Sequence, residues 1–141
     1  MKKIVSTFFT IVLVFLIQTS VPAQNPSNVR ILSAVKDCNE VKITLGSDTP
    51  FRFGDNKYYL HIGQKAFSKN KQRNENDGSG SITFHIHEKD FDLLPEGSLL
   101  WLSYGNLLSD FATEEEIKAA ASELPAIITF LGNFSKNILS N

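Results

Sequence analysis

A single cysteine, Cys38, stands in this chain of 141 residues, so no internal disulfide can staple the fold. Neither sign of charge is in excess, with 14 Lys and Arg against 15 Asp and Glu and a formal net charge of −1. Without a basic stripe, nucleic acid is excluded as a partner class, because its capture rests on many phosphate contacts. Chemistry-bearing motifs are missing too. The chain has no Gly-x-Ser-x-Gly elbow, no His-Glu-x-x-His and no glycine loop that would cradle a phosphate. Since no set of groups with assigned roles can be assembled, the expectation is a non-catalytic protein with no cofactor and no resident metal.

Long apolar runs are scarce as well. The only one, Ile4 to Ile17, follows Lys2 and Lys3 and precedes Val21-Pro22-Ala23. It is shorter than the roughly 20 residues of a spanning helix. A positive start, an apolar middle and small residues at cleavage spacing form the three-part pattern of a secretory signal peptide. Residues 1–23 are therefore read as a leader cut after Ala23, and 24–141 as a single domain that is secreted or periplasmic. No membrane span is expected after cleavage. Cys38 lies too far beyond the cut to carry a lipid, which leaves a small buried residue or a thiol for pairing between chains. Asn133-Phe134-Ser135 matches a glycosylation acceptor, but the leader has a bacterial character, so the match is read as accidental.

Period-two alternation fills the next two thirds of the chain. Val29, Ile31, Ser33 and Val35 alternate with Arg30, Leu32, Ala34 and Lys36. After the turn Asp37-Cys38-Asn39, Val41, Ile43 and Leu45 alternate with Lys42 and Thr44. Tyr58, Leu60 and Ile62 form a third such run, closed by Gly63, and Ile82, Phe84 and Ile86 a fourth. Each predicts a strand with one buried face. Ser68 to Ser81 is almost wholly polar and predicts an exposed loop. From Ser98 to Tyr104 both registers are apolar, the mark of a central strand covered on two sides. The grammar then turns helical. Thr113 and Glu116 form a capping box, and Ile117, Ala120, Ala121 and Leu124 make one helix face that Pro125 ends. Ala126 to Leu131 reads as a last strand. The sum is a mainly β protein, an antiparallel immunoglobulin-like β-sandwich with one short helix before its last strand.

The run Asp92-Leu93-Leu94-Pro95-Glu96-Gly97-Ser98-Leu99-Leu100-Trp101 resembles the corner before the penultimate strand of immunoglobulin-like and fibronectin type III-like domains. Leu99 stands near the place where that family carries an aromatic, and the paired cysteines of antibody-type domains are absent. Tyr104-Gly105-Asn106 through Leu124-Pro125-Ala126 is similar to the closing strands of accessory domains in secreted bacterial carbohydrate-active proteins. The resemblance implies a fold, and sandwiches of this kind host unrelated functions.

Candidate binding residues are Phe51, Arg52, Phe53 and Tyr59: two aromatics flanking a cation in a Pro/Gly-rich loop, and a ring in the polar register of its strand. Exposed rings can stack on sugar faces or anchor a protein. Equally, Phe51 and Phe53 could plug the end of the sandwich. His85 and His87 share a strand face and could grip a metal only if His61 converged on them, which strands in opposite sheets would prevent and direct pairing of the two strands across the polar loop would allow. The expected function is binding of a glycan or protein partner. The alternative is a structural or assembly component of the cell envelope acting through sheet edges or surface contacts.

Overall fold

The computed structural model describes residues 25–52, 57–68, 80–105 and 111–139. The stretch expected to be a leader, Phe53 and most of the polar loop lie outside the described residues. Along the described chain run β1 (Arg30–Asp37), β2 (Glu40–Gly46), β3 (Tyr58–Ile62), β4 (Lys65–Ser68), β5 (Ser81–His87), α1 (Glu88–Asp92), β6 (Leu99–Tyr104), α2 (Glu114–Glu123) and β7 (Ile128–Asn133), followed by a 3-10 turn over Lys136–Ile138. One sheet has the order β1-β2-β5 and the other β4-β3-β6-β7, with antiparallel neighbours throughout. The protein is mainly β, and its two sheets face one another as a sandwich.

Alternation in the sequence becomes the main core. Val41, Ile43 and Leu45 of β2 and Ile82, Phe84 and Ile86 of β5 point inward from the first sheet. Tyr58, Leu60 and Ile62 of β3 and Leu100 and Leu102 of β6 meet them from the second. β6 is buried on both faces, as its doubly apolar sequence predicts. Its outward residue Trp101 lies in a second, smaller core with Ile117, Ala120, Leu124 and Ile128. α2 therefore covers the outer face of β6 and β7. Thr113 caps it by accepting from the Glu116 amide at 3.2 Å, while the Glu116 carboxylate takes the Ala112 amide at 3.1 Å.

Four local features depart from the sequence reading. Alternation in β1 is not uniform, because a bulge between Ile31 and Ser33 inserts one extra residue and reverses the phase. Ala34 is buried in consequence, and Leu32 turns outward over Gly46, where an added Cβ would come within 2.7 Å of the leucine side chain. β4, with one large apolar residue, forms because the two-residue turn Gly63-Gln64 folds it back on β3, Gly63 taking φ +60°. α1 is a second helix where only one was expected. His87 caps it by accepting from the Lys89 amide at 3.2 Å, and Phe91 anchors it edge-on to Phe134, the ring centroids 5.5 Å apart. The last strand starts two residues later than expected, since the Ile127 and Ile128 amides both bond to the Leu124 carbonyl and wind Pro125–Ile127 into a turn.

Because α2 is held by a narrow apolar face, Ile117→Ala should destabilise the protein by about 2–4 kcal/mol. Thr113→Ala should cost about 1 kcal/mol, and Lys118→Ala should stay within about 0.5 kcal/mol. Urea unfolding followed by circular dichroism measures all three.

Candidate functional site

Of the residues picked out for binding, the three that are described do not share a surface. Phe51 is 1% exposed and packs edge-on against Tyr58 at 5.2 Å, so its ring belongs to the core and is closed to stacking on a ligand. Arg52 is exposed, with its guanidinium 5.8 Å from the centre of the Tyr104 ring and its amide donating to the Tyr58 hydroxyl at 2.9 Å. Phe53 lies outside the described residues. Tyr59 is half-buried on the opposite face of β3 from Tyr58, beside His61. Period-two geometry sends adjacent tyrosines to opposite sides, and that separates Tyr59 from the Phe51–Arg52 loop.

The histidines divide in the same way. His61 sits in the second sheet, and His85 and His87 in the first. His85 is held by Glu40 at 2.9 Å, and His87 spends Nδ1 on the cap of α1. Both line a shallow recess with Cys38, Asn39 and Glu40. Among the described residues, no three His, Cys, Asp or Glu groups are placed to hold a metal ion.

His61 has a structured setting of its own. Its ring stacks on Trp101 with centroids 3.6 Å apart and planes within 8°, and Nε2 lies 2.7 Å from the Ser103 hydroxyl. That hydroxyl donates to the Gly105 carbonyl at 2.5 Å. With its own proton committed there, Ser103 accepts from His61 Nε2–H. Polarity thus runs from imidazole to hydroxyl, the reverse of what a base activating a serine nucleophile requires. Burial pushes the imidazole down to about 4, so His61 is neutral at pH 7.

A groove that no sequence motif announced lies at the Ile62 end of β3, the end away from the Phe51–Arg52 loop. It has a volume of about 420 Å³ and is walled by Ile62, Leu94 and Pro95, with Leu93 on its rim. Gly63 and Gln64 of the hairpin turn form one lip; α1 and the corner after it form the other. The corner is the Asp92–Ser98 run that carries the family resemblance. It is pinned from several directions. Ser98 Oγ donates to the Pro95 carbonyl at 2.7 Å, Gly97 N–H to the Phe134 carbonyl at 2.8 Å, and Lys136 Nζ to the Asp92 carbonyl at 2.6 Å. Leu94 is 3% exposed and fixes the corner to the main core, which drives its neighbour Leu93 out to 79% exposure. The doublet Leu93-Leu94 before a proline was the available signal, since a tight corner can bury only one of two adjacent leucines. Lys65 and Asp90 bring opposite charges to the groove, and neither has an ion-pair partner among the described residues.

The lowered His61 value sets a pH dependence. Between about 6.5 and about 4 the unfolded chain binds a proton that the folded chain does not, so stability rises with pH there and is lost as pH falls. Urea midpoints of the native protein should fall over that window by an amount equivalent to roughly 2–3 kcal/mol, beyond the loss shared with His61→Phe. Equal slopes for the two proteins would remove His61 as the cause. Compared with family models, curated proteins and solved structures, the chain gives no match.

Proposed function

We propose that the chain is an exported, non-catalytic β-sandwich module that binds a protein partner by taking an apolar side chain into the groove between the β3–β4 turn and the 93–98 corner. The observation that carries this reading is Leu93, a large apolar residue 79% exposed on the rim of an apolar groove built from pinned elements. Apolar walls with a few polar groups on a rigid frame are the usual make-up of a binding site. Export rests on the leader pattern. The immunoglobulin-like resemblance is supported by strand order: first, second and fifth strands in one sheet, and third, sixth and seventh in the other with the fourth beside the third.

Binding of a glycan draws less support, because Phe51 is taken up by the core and Tyr59 remains as its one described ring. Assembly through a sheet edge has Leu32 and Val35 in its favour, 54% and 42% exposed on edge strand β1. Against it stand the bulge in that strand and the charges of Arg30 and Lys36, devices that discourage edge pairing.

Panning a displayed peptide library on the purified protein tests the groove. Enriched peptides should share an apolar anchor, should bind about 30-fold or more weakly to Leu93→Asp, and should bind Tyr59→Ala as they bind the native protein. Retention on insoluble polysaccharide that Tyr59→Ala abolishes, with no dependence on Leu93, would overturn the reading in favour of a glycan.

A further inference from the structure

We infer that the partner this groove fits is a second copy of the same chain, docked across a two-fold axis; this rests on the groove being a protein-binding site. A two-fold contact uses one patch twice, so the patch must be complementary to itself. Four features meet that demand within one short stretch of surface. Leu93 is a knob, 79% exposed. Beside it is a hole, the groove of about 420 Å³ walled by Ile62, Leu94 and Pro95. Lys65 supplies an exposed cation on the hairpin side, and Asp90 an exposed anion on the helix side.

Charge decides between a copy and a foreign chain. Within the described residues Arg30, Lys36, Lys42 and Lys118 each have a carboxylate partner, whereas Lys89 and Lys136, like Lys65, have none. Lys65 and Asp90 line the same groove and have none. One unpaired charge of each sign, set on opposite lips, is the arrangement a two-fold axis completes. Lys65 of one copy then meets Asp90 of the other, twice, while each Leu93 enters the facing groove. Nothing in the overall charge resists the encounter, since the chain carries a net charge of −1, or −3 once the two positive charges of Lys2 and Lys3 leave with the leader. The walls are already in place, because the corner is held by its bonds to Phe134 and Lys136, so docking costs little ordering.

The test is sedimentation equilibrium of the purified protein over a concentration series reaching the millimolar range, with circular dichroism to confirm folding. The native protein should self-associate as a dimer. Leu93→Asp, at a solvent-facing position, should raise the dimer dissociation constant about 30-fold or more. Lys65→Glu and Asp90→Lys should each be monomeric where the native protein is a dimer, because each sets like charges across the axis. Mixing the two single variants should restore a dimer, since both cross-pairs become attractive, and the double variant Lys65→Glu/Asp90→Lys should dimerise alone. A native protein that stays monomeric throughout would overturn self-docking and leave the peptide panning to judge the groove itself. A dimer indifferent to Leu93→Asp, or single variants that do not rescue each other, would place the contact elsewhere and overturn the inference equally.

Discussion

Burial of β6 on both faces is the constraint from which the rest of the structure follows. A strand reading Leu99-Leu100-Trp101-Leu102-Ser103-Tyr104 has no side that tolerates water, so it needs cover in two directions. Inward, Leu100 and Leu102 close the main core against the first sheet. Outward, Trp101 requires a second cover, and α2 with Ile128 supplies it. The second sheet thereby becomes the middle layer of the molecule wherever α2 lies over it. His61, opposite Trp101 on β3, is drawn into the same outer layer. Its imidazole is thus packed flat on an indole and deprived of water, which keeps it neutral.

This layering also explains where a site can form. The sandwich interior is filled, and the outer face of β6 and β7 is taken by the helix. What remains are the ends and the outer face of the first sheet. At the end near Gly63, the two-residue turn is shorter than the neighbouring connection from α1 through the corner to β6, so the two do not close over one another. The space between them is the groove. Its polar groups are few, and its apolar walls are extensions of the core residues Ile62 and Leu94. Leu93 is exposed by the same cause that buries Leu94, so knob and wall arise from one turn of the chain.

Much of the fold was legible in the sequence, and the reasons differ by element. β2, β3 and β5 alternate cleanly because one face meets the core and the other meets solvent or a cross-strand neighbour. β6 was legible from the failure of that alternation, and α2 from its capping box and its i, i+3, i+4, i+7 face. By contrast, β4 owes its existence to pairing with β3 through Gly63, and a four-residue segment with one phenylalanine has no period to read. α1 is capped by a histidine, outside the residues that usually announce a helix start. The bulge in β1 left no signature, because Leu32, Ser33 and Ala34 fit either phase. For the site, residue type misled: Phe51 was attractive as a loop aromatic and is a core residue, since a ring at the end of a sandwich finds Tyr58 before it finds a ligand. The groove is a product of two segments far apart in the chain, and no local pattern encodes such a meeting.

Trp101 is the sole tryptophan of the chain, and it lies in the outer layer, not between the two sheets. Its emission therefore reports on the seating of α2 and on the charge of the imidazole stacked against it, while the main core is optically silent except through tyrosine. Fluorescence and far-ultraviolet circular dichroism consequently watch different layers of this protein. Any separation between their unfolding curves measures how far the helix can lift away while the two sheets stay together.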